Sequence, residues 1–248
     1  HGPYGEDGTI QGVFEIAGVP YVGCGVLSSA LAMDKDNAKK VIAAAGIATT
    51  PWMVVRSDRF SDPSRTVDEL VKQLGLPLFV KPAELGSSVG VSRAETEAEG
   101  KDGIMRAFDY GKKVLVEEAI RGREIEVAVL EGPRVSLAGE IVIKQQWYDY
   151  DAKYNDESSE FVTPADLAVS EMALVRQLAG RAFEALECRG LARVDFLYEE
   201  GGRGFLLNEL NTMPGFTPIS GFPKMWAASG MTYPELCNEL VELALTVG

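Results

Sequence analysis

The sequence predicts an α/β (α+β) protein of two lobes built on antiparallel sheets, and three observations carry that reading. Segments 114–116, 124–130 and 135–143 run apolar or alternate as strands do, with Gly132-Pro133 as a turn. A second hairpin, ARVDFLYEEGGRGFLLNELN, turns at Gly201-Gly202. Helical patterns at 34–45 and 166–188 supply apolar faces to cover such sheets. With 248 residues and 46% hydrophobic content, the chain can bury a large core, divided between two lobes.

Taken in order, residues 9–17 read as a short helix and 20–22 as a short strand. Ser28 and Ser29 suit the cap of the following helix, and the pattern at 34–45 stops at Gly46, a residue tolerant of the left-handed backbone that ends helices. A strand at 52–55, an acidic Pro-containing loop and a helix near 67–74 come next. The segment 78–81 is an apolar strand ending in Lys81. The stretch 147–164 is polar, aromatic and aperiodic, which marks a long functional loop. A C-terminal helix spans 233–245.

Composition excludes several function classes. The 24 basic against 37 acidic residues give a net charge of -13, which opposes non-specific attraction to nucleic acid or to an anionic membrane. No apolar run approaches a membrane span. Cys24, Cys188 and Cys237 are odd in number and share no metal-like or redox-like spacing, so they read as buried apolar residues of a protein in the reducing cytoplasm.

The chemistry concentrates in the last quarter. Glu209 and Asn211 lie two apart on one strand and share a face, with Asp195 at the end of the preceding strand and Arg193 beside it. Two carboxylates and an amide offer the hard oxygen donors magnesium takes alongside phosphate oxygens. A guanidinium beside them can neutralise charge developing on an oxyanion. The same residues also suit a solvated surface hairpin. Upstream, Lys81 leads into Pro82-Ala83-Glu84-Leu85-Gly86-Ser87-Ser88-Val89-Gly90, where small residues let backbone N–H groups approach phosphate. It is not a Walker A loop, and a plain tight turn is the alternative. Glu117 and Glu118 end a strand and Glu124 begins the next, positions from which carboxylates can accept hydrogen bonds from a ribose. Gly23-Cys24-Gly25 begins a near match to the dinucleotide fingerprint, but Ser28 stands at its third small position and no acid follows at ribose distance.

These motifs together resemble the D-alanine:D-alanine ligases of the ATP-grasp superfamily, in order and over the whole chain: HGPYGEDGTIQG, GVLSSALAMDK, LFVKPAELGSSVGVS, VLVEEAIRGREIEVAVL, YDYDAKYNDES, ARVDF and LNELNTMPGFTPIS. The resemblance implies an ATP-grasp fold, with 1–34 a remnant of an N-terminal substrate domain, 35–120 a central lobe and 121–248 a C-terminal lobe. It implies that Lys35 and Lys81 contact ATP phosphates under a loop carrying Ser87 and Ser88. Glu117, Glu118, Ala119 and Ile120 line the adenine edge, Glu124 meets the ribose, and Phe196, Asn208 and Lys153 complete the nucleotide site. Asp195, Glu209 and Asn211 hold two magnesium ions, a site manganese can also fill. Arg193 and Gly215 stabilise the tetrahedral intermediate, Ser220 and Gly221 hold the second substrate's carboxylate, and His1 lies near the first D-alanine. Lys153 and Tyr154 belong to a loop closing over the site, and their identity implies D-alanine rather than D-lactate as second substrate. A homodimer is the family's usual state. The family also uses a glutamate from earlier in the N-terminal lobe, so the natural protein is expected to carry a further N-terminal segment. A non-catalytic ATP-binding fragment is the alternative reading.

Overall fold

The computed structural model describes residues 2–86, 89–143 and 159–246. Three helices lead in: α1 (Thr9–Ala17), α2 (Val26–Met33) and α3 (Lys35–Ala44). The Asp34 carboxylate accepts from the Asn37 N–H at 3.2 Å and starts α3, and Gly46 at φ +72 follows its end.

The first sheet contains β1 (Trp52–Arg56), β2 (Leu78–Pro82), β3 (Ser92–Ala94) and β4 (Lys113–Glu118), all antiparallel in the order β1-β4-β2-β3. It is covered by α4 (Pro63–Leu74) and α5 (Glu97–Phe108), which bury Val67, Leu70 and Ile104 against Val55, Val80, Val114 and Val116. α4 begins with Asp62 as cap and Pro63 in the first turn, earlier than its apolar pattern suggests. α5 was not foreseen, although Thr96 and Glu99 form a capping box.

The larger sheet runs β10-β9-β5-β7-β8, with the short β6 (Arg134–Val135) also on β5. Its strands are β5 (Arg123–Leu130), β7 (Gly139–Ile143), β8 (Ser159–Val162), β9 (Leu191–Glu199) and β10 (Gly204–Asn211). Alternation sends Ile125, Val127, Val129, Val194, Phe196 and Leu207 to one face, where α6 (Val169–Ala185) packs with Val175, Ala179 and Phe183. Ala38 and Ile42 of α3 join the same core. On the opposite face α7 (Gly221–Ala228) and α8 (Tyr233–Thr246) cover Ala128, Leu130 and Leu191 with Phe222, Met225, Trp226 and Leu236, leaving the middle of that face for chemistry.

Chain connection and backbone hydrogen bonds both tie the sheets. Residues 119–122 run directly from β4 into β5, and Thr50 N–H and Leu207 N–H bond to Leu207 O and Ala48 O at 3.1 and 2.8 Å. Among the described residues no helix is long and apolar enough to cross a membrane.

Several expectations need correction. Residues 20–22 form no strand, having no ladder partner among the described residues. Ser28 and Ser29 lie buried inside α2, whose cap is Gly25. The segment 135–143 is broken into β6 and β7, and 147–164 is not loop throughout, because its end pairs with β7 as β8. Asp195 sits mid-strand, since β9 continues to Glu199.

Candidate active site

β9 and β10 build the site by alternation and one irregularity. Arg193, Asp195 and Leu197 are half-buried on the open face while Val194, Phe196 and Tyr198 go to the core. Glu209 registers with Asp195 and Asn211 with Arg193, as the two-residue spacing requires. A bulge between Leu207 and Glu209 inserts Asn208 and re-aims the strand, so that both Asn208 and Glu209 are half-buried while Leu206, Leu207 and Leu210 are buried.

Arg193 is held by two charge-assisted bonds to Asp195, at 2.7 and 2.6 Å, and lies 3.3 Å from Glu126 of β5. Burial opposes its charge, but Asp195, Glu126 and Glu209 outweigh that and raise it above its ordinary value, so it is a permanent cation. Asn211 donates to Asp195 at 2.9 Å. Among the described residues no group of three or more His, Cys, Asp or Glu gathers as a metal cluster. The donor set is two carboxylates and an amide on adjacent strands, which fits magnesium that draws its other ligands from phosphate and water.

Facing this set are the lysines. Lys35, the first residue of α3, donates to Leu85 O at 2.7 Å and lies 3.7 Å from Glu209. Lys81 on β2 donates to Asn208 Oδ1 at 3.3 Å and pairs with Glu117. Glu117 is buried; burial alone would raise its carboxyl, but Lys39 and Lys81 hold it down at about 2. Beyond Lys81, Gly90 has φ +72, and a Cβ there would lie 2.7 Å from the Tyr110 ring.

A cavity of about 350 Å³ lies where β4 passes into β5, lined by Phe79, Arg93, Ala119, Ile120, Arg121 and Gly122. Glu124 is half-buried on β5, and the Glu118 carboxylate is committed to Arg203 through bonds of 2.8 and 2.7 Å. At the other end, Ser220 caps α7 and its Oγ accepts from Thr217 N–H at 3.1 Å. A Cβ on Gly215 would come 3.1 Å from Ser220 Oγ, and one on Gly221 would come 2.9 Å from Glu126 Oε2. Gly215, Ser220 and Gly221 therefore converge on the Glu126–Arg193 end of the site.

The structure thus gathers Lys35, Lys81, Glu117, Arg193, Asp195, Asn208, Glu209 and Asn211, with Ala119 and Ile120 at the cavity. Phe196 is not among them: alternation turns it into the core, 1% exposed, and Leu197 has the open face instead. His1, Ser87, Ser88, Lys153 and Tyr154 lie outside the described residues. Glu126, Lys39 and Phe79 were missed, although each was reachable: Glu126 is two residues from Glu124, Phe79 two from Lys81, and Lys39 one helical turn from Lys35.

Comparisons with known proteins follow the same lines. A family profile described as D-ala D-ala ligase C-terminus matches residues 41–242, and one described as D-ala D-ala ligase N-terminus matches residues 1–24. A D-alanine–D-alanine ligase of Acetivibrio thermocellus is 48% identical over 99% of this chain and 66% of its own length. D-alanine–D-alanine ligase A of Chromobacterium violaceum is 49% identical over 100% of this chain and 68% of its own. Among solved structures, the D-alanine-D-alanine ligase from Coxiella burnetii has a TM-score of 0.88 at 40% identity, covering 99% of this chain and 66% of that one. VanG D-Ala:D-Ser ligase from Enterococcus faecalis has a TM-score of 0.88 at 38% identity, covering 98% and 71%. This chain spans about two thirds of the length of such relatives.

Proposed function

Because the chain belongs to the D-ala D-ala ligase family, we propose that it carries the nucleotide and acceptor sites of an ATP-dependent carboxylate–amine ligase that joins two D-alanines for peptidoglycan precursor synthesis. The observation that carries this is the open-face set Arg193, Asp195, Glu209 and Asn211, opposed by Lys35 of α3 and Lys81 of β2. Lys35 and Lys81 hold the phosphates of ATP, and the cavity beside Ala119 and Ile120 takes the base. Asp195, Glu209 and Asn211 hold two magnesium ions, or manganese in their place. When bound, the metal supplies neutralisation of the phosphate charge. A D-alanine carboxylate oxygen takes the γ-phosphoryl group, releasing ADP and leaving an acyl phosphate. The amine of a second D-alanine, its carboxylate held at Ser220 and Gly221, attacks the acyl carbon, and phosphate departs with an oxygen of the first carboxylate. Arg193 and the Gly215 N–H stabilise the tetrahedral adduct between these steps. The roles of His1, Ser87, Ser88, Lys153 and Tyr154, the three-part division of the chain, a homodimer and a cytoplasmic location belong to the same proposal.

The test is titration of the 248-residue chain with magnesium and a non-hydrolysable ATP analogue, followed by phosphate release with D-alanine alone and with D-alanine plus D-lactate. The expected result is saturable binding and D-alanine-dependent release that D-lactate does not increase. Binding without release would confine the chain to the nucleotide-binding reading, and no binding would overturn both.

A further inference from the structure

Lys39 is a buried cation that the reaction above does not use. It is 1% exposed, lies one helical turn after Lys35 on α3, and places Nζ 2.7 Å from Glu117 Oε1. Its remaining bonds go to the Thr50 hydroxyl and, at 3.4 Å, to Thr50 O, with the Trp52 ring 5.7 Å away. Thr50 Oγ also donates to Glu117 Oε1 at 3.0 Å. The other oxygen of Glu117 pairs with Lys81. Each oxygen of one carboxylate is thus matched to one lysine, and only Lys81 reaches on to the open face through Asn208.

The charge count gives this arrangement a meaning. A Lys81–Glu117 pair alone would be neutral, and the carboxylate would offset much of Lys81's attraction for phosphate. With Lys39 protonated, as its 2.7 Å ion pair with Glu117 favours, the trio carries two positive charges and one negative charge, so a net positive charge remains. Burial of Lys39 is costly unless its charge is paired, which makes its retention behind the sheet unexplained by packing alone. We propose that Lys39 is a positioning residue that neutralises Glu117 from behind, fixing Lys81 while leaving it a net cation toward the nucleotide's phosphates. This rests on the nucleotide site proposed above.

The experiment compares the unmodified chain, Lys39→Met and the double variant Lys39→Met/Glu117→Gln. Each is titrated with a non-hydrolysable ATP analogue plus magnesium and, separately, with adenosine. Lys39→Met is expected to weaken the analogue about tenfold, as loss of one nearby charge predicts, and to leave adenosine binding unchanged. The double variant, which removes one buried charge of each sign, is expected to regain most of the lost preference for the analogue over adenosine. A merely structural Lys39 would affect both ligands alike, and its loss would not be repaired by removing a second buried charge. Analogue binding by a folded Lys39→Met equal to that of the unmodified chain would overturn the inference alone. If Lys39→Met does not fold, the double variant decides through the ratio of analogue to adenosine affinity, in which any effect of Glu117 on the base cancels: a ratio near that of the unmodified chain supports the inference, and a tenfold lower ratio overturns it. Failure of the unmodified chain to bind would remove the nucleotide site and the inference with it.

Discussion

Acidification offers a quantitative check of the Lys39–Glu117–Lys81 cluster. The Glu117 carboxyl has an ordinary value of 4.5 and is held at about 2 in the folded chain. A folded value below the unfolded one means that the unfolded chain takes up the proton first as pH falls. The stabilisation is therefore fully present above pH 4.5 and is lost as pH drops through that value to about 2. At about 1.4 kcal/mol for each tenfold, that gap contributes about 3 kcal/mol. The perturbation is Glu117→Gln, which removes the carboxylate charge between Lys39 and Lys81 at neutral pH. Urea unfolding of both proteins at pH 7, 4.5, 3 and 2 measures the difference between them, and the other carboxylates titrate alike in each and cancel. The variant is expected to be the less stable at pH 7, with the difference shrinking by about 3 kcal/mol on acidification. Parallel stability curves across that window would refute the cluster's ionisation as described.

Three further outcomes are expected. Gly122→Ala puts a Cβ 2.7 Å from the Tyr198 carbonyl oxygen, an overpacking against backbone that costs about 1–3 kcal/mol; calorimetry should show a lowered Tm, and an unchanged Tm would refute that close approach. Glu209→Gln removes one of two carboxylates in the proposed metal set and should raise the magnesium concentration for half-maximal activity about ten- to a hundredfold; an unchanged requirement would take Glu209 out of that set. Arg193→Lys keeps a charge but loses the two-pronged hold on Asp195. Its kcat should fall about a hundredfold with KM for ATP little changed, and a raised KM with kcat unchanged would place Arg193 in ground-state binding instead.

What was legible in the sequence was whatever depends on local period. The β9–β10 hairpin shows its register openly, because Glu209 and Asn211 two apart share a face and Gly201-Gly202 fixes the turn. The period also placed Phe196 against its assigned role: it is one residue from Asp195 and so faces the core. What was not legible depends on pairing between distant segments. Nothing near Lys39 announces that Glu117, 78 positions later, will receive its charge. The Leu207/Glu209 bulge is equally hidden, since FLLNELN reads as uninterrupted strand until β9 is laid beside it. Strand 159–162 shows the same limit: it exists because β7 offers an edge, not because its own pattern demands a strand.

The central claim is that a D-alanine carboxylate oxygen takes up the γ-phosphoryl group of ATP. Supplying D-alanine labelled with 18O in both carboxylate oxygens and analysing the released phosphate by mass spectrometry tests it directly. The account predicts one 18O atom per phosphate released; unlabelled phosphate, as direct hydrolysis of ATP by water would give, would contradict it.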